Sequence, residues 1–244
     1  MSSFVHRGPV ALAPAGGPAA WFDALAMGVW PWVARALGLT YRVGRSPELL
    51  ADARAVHRAV SGPLGLLPPA DVAWVGQRYD DATTWIVAYR GGRPVGVMGL
   101  LDVGIASIAL DVERRELPRE LDPARTREIT RLAILPEARG GIQAVMVGLL
   151  REMLAWSKAQ GVERLLVGSS ASLYEVYRRY NPTVRRIDPP PAPPEDPAVT
   201  RYFEALRACV AGRGMLYVFD VDGASPWSVF SRFLTRRLRQ QEGA

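Results

Sequence analysis

The sequence predicts an α/β protein with one mixed central sheet, flanked by helices and extended by a helical segment at each end. Segments with strand-like and helix-like apolar periodicity alternate along the chain, which is typical of this class. Two strand segments, Thr83–Tyr89 and Pro94–Leu101, flank Arg90-Gly-Gly-Arg93 and give a strong hairpin signal. Another strand, Glu128–Leu135, leads through a proline turn and a glycine-rich loop into a long helix, Gly141–Gln160.

The remaining elements follow in chain order. Thr40–Val43 is the first predicted strand, and Glu48–Val60 is a helix with Ser46 as its N-cap. Residues 104–124 fit neither periodicity, and the charged run Asp111–Asp122 is interpreted as a solvated loop. The other elements are a loop at Gly62–Pro69, strands at Glu163–Gly168, Thr183–Ile187 and Met215–Val221, helices at Leu173–Tyr180 and Ala198–Ala211, and a stiff proline-rich connector at 188–197.

Three segments result from this assignment. Residues 1–39 form an N-terminal extension with a tryptophan-rich helix at 18–37, in which Pro31 is expected to cause a kink or begin a new turn. Residues 40–222 form a single domain, which suits a chain of 244 residues. Residues 223–244 carry apolar side chains at helical spacing and four arginines, which predicts a basic amphipathic helix. That helix either packs on the domain or contacts an acidic partner or an anionic membrane surface.

Composition narrows the class of protein further. Hydrophobic residues make up 49% of the chain, enough for a sizeable core. The sequence has no apolar run of about 18 residues and no basic start followed by an apolar block. The single cysteine, Cys209, excludes an internal disulfide and is interpreted as a small packed thiol. We therefore expect a cytoplasmic protein with neither a secretory signal nor a membrane-spanning helix.

The distribution of charge along the chain indicates what kind of partner the protein binds. The formal net charge is +6, but the arginines are scattered and form no dense basic arm. An acidic partner protein or a phosphate-bearing ligand explains this charge as well as nucleic acid does, and no nucleic-acid partner is expected. The two histidines, His6 and His57, cannot form a metal cluster with one cysteine, so no metal site is expected. His57 lies on a predicted helix, where a surface or half-buried structural role is favoured.

The most informative stretch runs from Arg127 to Ile142. Glu128 and Arg131 are two charges in an otherwise apolar strand. Arg139 and the two glycines after it stand at the start of the long helix, where loop amides and the helix dipole favour an anion. An acid, a base and a phosphate cradle together indicate group transfer from a phosphate-bearing carrier. A buried ion pair beside an ordinary turn is the alternative.

This order of elements, with the loop leading into the long helix, resembles the GNAT (Gcn5-related N-acyltransferase) fold over roughly residues 40–222. Arg127-Glu-Ile-Thr-Arg-Leu-Ala133 is similar to the Glu-x-x-Arg signature of acyl-homoserine-lactone synthases and long-chain N-acyl amino acid synthases. Arg78-Tyr-Asp80 is similar to a segment of the same group. The resemblance implies an enzyme that takes a fatty acyl group from acyl carrier protein, sometimes from coenzyme A, and transfers it to an amine.

The resemblance also implies roles for individual residues. The amide of Ile134 would stabilise the oxyanion if the strand bulges there, and Glu128 would act as base, directly or through water. Tyr177 would return a proton to the thiolate, with Tyr174 as a competitor. Arg131 would share a face with the glutamate only if a bulge shifts the alternation, and is otherwise a structural partner for Asp80 or Glu128. The residues expected to bind the acyl carrier are Leu132, Ile134, Arg139, Gly140, Gly141, Gln143 and Ala144.

Two departures from the pattern of that group refine the expectation. The lactone synthases carry an arginine where this chain has Gly99, and an aspartate where it has Arg78 or Gln77. This favours an amino acid synthase over an enzyme that uses S-adenosylmethionine. The loop Arg139–Ala144 matches only with a one-residue deletion, which favours a carrier protein that presents pantetheine on a single phosphate.

We therefore expect an N-acyltransferase with no permanently bound cofactor. Its cosubstrate would be acyl-phosphopantetheine on acyl carrier protein, or acyl-CoA. Its acceptor would be the amine of an amino acid, a small amine or a peptide. The alternatives are a non-catalytic protein of this fold that binds an acyl carrier or acyl ligand, and an autoinducer synthase of the acyl-homoserine-lactone type.

Overall fold

The computed structural model describes residues 28–63, 75–139, 144–169, 174–175, 178, 183–192, 197–209 and 215–222. The strands are β1 (Leu39–Gly44), β2 (Thr83–Arg90), β3 (Arg93–Asp102), β4 (Thr126–Ile134), β5 (Arg164–Ser169), β6 (Arg185–Arg186) and β7 (Met215–Asp220). The helices are α1 (28–36), α2 (Pro47–Ser61), α3 (Val75–Asp81), α4 (Ile108–Glu113), α5 (Ala144–Ala159) and α6 (Pro197–Cys209). Within these residues no helix combines the length and apolarity needed to cross a bilayer.

The strands form one seven-stranded sheet in the order β1-β2-β3-β4-β5-β7-β6. Neighbouring strands are antiparallel except β4 and β5, which are parallel. The predicted mixed α/β sheet is therefore confirmed. The parallel pair is possible because α5 crosses back over the sheet between the two strands.

Helices cover both faces of the sheet. On one face α5 packs through Val145, Leu149 and Met153 against the central strands, and Trp30 of α1 joins the same core cluster. On the other face lie α2, α3, α4 and α6, which cover separate clusters on the strands. Trp32 of α1 is 75% exposed, so the tryptophan-rich helix buries only part of its apolar surface in this core.

Most predicted elements occur within two residues of their expected bounds. The N-cap is Ser46 as predicted, with its side chain accepting a hydrogen bond from the Leu49 amide. Pro31 lies within the helical residues 28–36. The predicted strand at 183–187 is reduced to β6. The loop at 62–69 and the helix at 173–180 are only partly described, and the segments 1–27 and 223–244 lie outside the described residues.

Two predictions need correction on the face of the sheet that α2, α3, α4 and α6 cover. The helix α3 was not expected, because Val75–Asp81 is short and carries three charges. The interpretation of Asp111–Asp122 as a solvated loop was wrong at its start, because α4 occupies Ile108–Glu113. Ser107 caps α4 by accepting a hydrogen bond from the Leu110 amide. Tertiary burial of Ala109 and Leu110 explains why so short a segment is helical.

Candidate functional site

The carboxyl end of β4 has no neighbouring strand on one side among the described residues. β4 pairs with β5 over Thr126–Ile129, and no described strand pairs with residues 130–134 on that side. The amide of Leu135 donates to Val95 and therefore faces β3. Because backbone groups alternate along a strand, the amide of Ile134 faces the opposite, unpaired side.

A β-bulge interrupts β4 at Arg131. The pairing of β3 with β4 shifts between Val97 and Gly99, so that two residues of β4 oppose Met98. Arg131 has a φ of 51°, a left-handed conformation that is uncommon for a residue with a side chain. Such strain is retained where the surrounding structure demands it, which often marks a functional site.

The bulge brings four side chains of β4 to the same face. Glu128 and Thr130 point towards α3 and α4, and after the bulge Arg131 and Ala133 point the same way. A regular strand would have placed the arginine on the α5 face. The condition under which Glu128 and Arg131 share a face is therefore met.

The Arg131 side chain enters a buried polar cluster, but its partner is not Glu128. It forms an ion pair with Asp80 of α3, and its guanidinium lies 5.5 Å from the centre of the Trp85 ring. Arg54 of α2 also pairs with Asp80, at 2.7 Å. Arg131 Nη2 also donates to the Gly76 carbonyl of α3 at 3.5 Å. Two cations thus share one carboxylate, which leaves this cluster with a net positive charge.

Glu128 is fixed at the start of α4 instead. Its side chain is 2% exposed. Ser107 Oγ donates to one carboxylate oxygen at 2.6 Å, and the Ala109 amide donates to the other at 3.0 Å. Burial raises the pKa of Glu128 to about 7, and the charge of Asp111 adds to the rise, while the bonds from Ser107 and from the α4 amides oppose it. Glu128 in this structure caps a helix, and its role as a base stays a prediction.

The segment Arg78-Tyr-Asp80 joins α3 to its neighbours. The Tyr79 hydroxyl donates to Asp111 of α4 at 2.6 Å, and Arg78 pairs with the same carboxylate at 2.9 Å. Asp80 points to Arg131, as described above. The motif therefore holds α4, and with it Ser107, against the sheet.

A pocket of about 280 Å³ lies at the carboxyl end of β4. It is lined by Val60, Leu132, Ala133, Ile134, Ala138, Arg139, Val145 and Met146. Arg139 Nε donates to the Ile134 carbonyl at 2.8 Å, and its side chain is exposed. The lining is mostly apolar with one cation at the rim, which suits a chain that carries an anionic group.

Of the residues predicted to bind the acyl carrier, Leu132, Ile134 and Arg139 line this pocket. Ala144 lies behind it, buried, and its carbonyl accepts a hydrogen bond from Tyr41 at 3.1 Å. Four further predicted site residues lie outside the described residues, and they are Gly140, Gly141, Gln143 and Tyr177. Tyr174, the competitor of Tyr177, packs edge-on against the Tyr217 ring, with the ring centres 5.3 Å apart.

Sequence reasoning missed Arg54 and Ser107. The signal for Ser107 was present, because a serine before the apolar run 108–110 is an N-cap pattern. Arg54 gave no such signal, since only the packing of α2 against β4 brings its side chain to Asp80.

Solved structures of the same fold are found by structural comparison. The CoA-dependent acyl-homoserine lactone synthase BjaI with MTA matches at a TM-score of 0.53 and 15% identity, over 75% of this chain and 84% of the other. The same synthase with SAM and isopentyl-CoA gives 0.50 and 16%, with the same coverage. The chain has a GNAT-like fold.

Other matches are more distant. FeeM, an N-acyl amino acid synthase from uncultured soil microbes, gives a TM-score of 0.47 at 12% identity, over 75% of this chain and 91% of FeeM. No protein-family model and no curated protein sequence matches the chain. At these identities the similarity shows the fold alone.

Proposed function

We propose that the protein is an N-acyltransferase that moves a medium or long fatty acyl group from a thioester to an amine. The observation that carries the proposal is the apolar pocket at the end of β4, beside the unpaired amide of Ile134 and the start of α5. A thioester donor needs an apolar slot for its pantetheine arm, a donor for the carbonyl oxygen and a cation for its phosphate. Ile134 and Arg139 supply the last two.

The chemistry follows from this placement. The amine nitrogen attacks the carbonyl carbon, the carbonyl oxygen gains negative charge, and the C–S bond breaks as the amide forms. The Ile134 amide stabilises the oxygen, a contribution typically worth about 3 kcal/mol in catalysis. The amine loses one proton as the amide forms, and Glu128 stays the sequence-based prediction for the base that takes it. Tyr177 stays the prediction for the group that protonates the leaving thiolate.

Removal of one backbone donor tests this role. Ile134→Pro deletes the amide hydrogen without removing a bond to β3, because that amide faces the unpaired side of β4. We expect kcat to fall by about 10²–10³-fold. Ile134→Val, which keeps the amide, is the matched control and should retain near-normal turnover. A folded proline variant with unchanged kcat would exclude the Ile134 amide as the oxyanion donor.

We further propose that the donor is acyl carrier protein in preference to acyl-CoA. The net charge of +6 favours an acidic carrier, and the shortened loop Arg139–Ala144 suits a single phosphate. The acceptor is an amino acid, a related small amine or a peptide amine. Incubation with dodecanoyl-carrier protein or dodecanoyl-CoA and a mixed amine pool, followed by mass spectrometry, tests donor and acceptor together. Equal efficiency with both donors, insensitive to salt, would refute the preference for the carrier.

A non-catalytic acyl-binding protein of the same fold is the second candidate. The burial of Glu128 at the start of α4 favours it, because that carboxylate has no described contact with the pocket. The two candidates differ in one measurement. A binder retains acyl-thioester without release of thiol, whereas an enzyme releases thiol steadily and gives an amine with the added mass of the acyl group.

A further inference from the structure

The pocket at the end of β4 is open on one side and closed on another. Arg139 at its rim is exposed, whereas three of the side chains that line it are buried, and these are Ala133, Ala138 and Val145. Val145, in the first turn of α5, is 1% exposed and is the only one of the three that is longer than alanine. Val145 is therefore the buried side chain on which the depth of the pocket depends.

A glycine in the sheet gives Val145 its position. Gly96 of β3 pairs with Ile134 of β4, and Val145 packs over Gly96. A Cβ added to Gly96 would lie 2.5 Å from Val145 Cγ1, so one of the two would have to move. The φ of Gly96 is not positive, so glycine is needed here for this close approach and not for an unusual backbone.

The recess above Gly96 has little spare room. Leu149 Cδ1 would lie 3.4 Å from the same added Cβ, and Ile134 Cγ1 would lie 3.6 Å from it. Because a close-packed core leaves few voids, the free space beside Val145 is the pocket that it lines. A larger residue at position 96 would therefore displace Val145 into the pocket, whereas a smaller residue at position 145 would deepen the pocket as far as the β3 backbone.

An acyl thioester is a linear molecule, so its orientation in the pocket decides which part meets Val145. Its phosphate lies at the exposed rim with Arg139, and its carbonyl oxygen lies at the unpaired amide of Ile134. The acyl chain is the end furthest from the phosphate. The chain is therefore the part that extends past the carbonyl to the buried wall.

We propose that Val145, seated on Gly96, limits the length of the acyl chain that the pocket accepts. This inference rests on the proposed function, because it takes the donor to be an acyl thioester. The terminal methyl group of the longest accepted chain contacts Val145, and a longer chain has to displace that side chain. Leu149 and the Gly96 backbone form the next layer behind it.

The test measures affinity by calorimetry for even-numbered S-alkyl-CoA thioethers from butyl to hexadecyl, which bind but transfer no acyl group. In the wild type, affinity should rise with chain length up to a limit. Val145→Ala should move this limit to a longer chain, with about 10-fold or more gain for the first chain beyond the wild-type limit. Gly96→Ala should move it to a shorter chain. Val147→Ala, the same substitution two residues later on α5 and outside the pocket lining, should leave the limit unchanged.

A double variant isolates the contact between the two residues. In Gly96→Ala combined with Val145→Ala, the Cγ1 that the new Cβ would meet is gone, so the limit should return towards that of the wild type. Unfolding curves verify that each variant is folded, and if one single variant does not fold, the other decides. A folded Val145→Ala or Gly96→Ala with an unchanged limit overturns the inference, as does a wild-type affinity without any limit up to hexadecyl.

The proposed function is tested separately. A wild type that releases no thiol from dodecanoyl-CoA in the mixed amine pool refutes the acyltransferase function. Binding of the thioethers needs no turnover, so a limit that moves in Val145→Ala would still support the role of this residue in a protein that only binds acyl thioesters. Thioethers that do not bind at all would overturn both proposals.

Discussion

Glu128→Gln should make the protein more stable than wild type at neutral pH, and the gain should vanish in acid. The folded-state pKa of Glu128 is raised to about 7 from an ordinary 4.5, so between these values the folded protein holds a proton that the unfolded chain has lost. Protonated Glu128 therefore makes its full contribution to the free energy of unfolding of the wild-type protein below pH 4.5. That contribution is lost as the pH rises to about 7. Glutamine copies the protonated carboxyl, because its oxygen accepts from Ala109 and its NH₂ donates to Ser107.

The expected difference in the free energy of unfolding follows from the size of the pKa shift of Glu128. One pKa unit corresponds to about 1.4 kcal/mol, so a shift of this size corresponds to roughly 3 kcal/mol in the difference between variant and wild type. For a domain of this length that difference is about 6–12 °C in Tm. The free energy of unfolding of both proteins should be measured in urea from pH 4.5 to pH 8.

Glu120→Gln is the matched control, because it makes the same substitution at an exposed position. A difference between Glu128→Gln and wild type that is constant across the range, or largest in acid, would refute the reasoning from burial.

Turnover of the same variant answers a separate question. If Glu128 were the base, the variant would lose about 10²–10⁴-fold in kcat, whereas a helix cap predicts near-normal turnover.

Three further changes probe the site and its support. Gly148→Ala should destabilise the protein by about 1–3 kcal/mol in thermal unfolding, because the new Cβ would lie 2.0 Å from Tyr41 ring atoms and this clash exceeds the roughly 1 kcal/mol that alanine gains in a helix. Asp80→Asn should cost about 3–5 kcal/mol in urea unfolding, since it leaves Arg131, whose side chain is only 14% exposed, without its anion. Val60→Phe should weaken binding of dodecanoyl-CoA in calorimetry by filling part of the pocket, with Tm within a few degrees of wild type.

Each of these three predictions would be contradicted by a different result. The loss in Gly148→Ala should shrink when Tyr41 is also shortened to alanine, and an equal loss in both backgrounds would show that the ring is not the cause. An Asp80→Asn protein as stable as wild type would mean that Arg54 and Arg131 do not depend on the shared carboxylate. Unchanged affinity in Val60→Phe would mean that the thioester donor does not bind in this pocket.

Local sequence signals determined the elements of this protein. Alternating apolar residues and the Arg90-Gly-Gly-Arg93 turn gave the hairpin, and the serine before Pro47 gave the start of α2, because each of these depends on neighbours in the chain. The same reasoning singled out Glu128 and Arg131 as charges that a buried strand must accommodate. It also indicated the fold, which the matches to BjaI support.

The tertiary structure alone decided what those charges do. The bulge that turns Arg131 towards Asp80 depends on the register between β3 and β4, and a one-residue change in register reverses the face of every later side chain. The capping of α4 by Glu128 depends on a helix and a strand that are separate in the chain and meet only in the folded sheet. Periodicity records which residues are buried, but the partner of a buried charge is fixed by long-range packing.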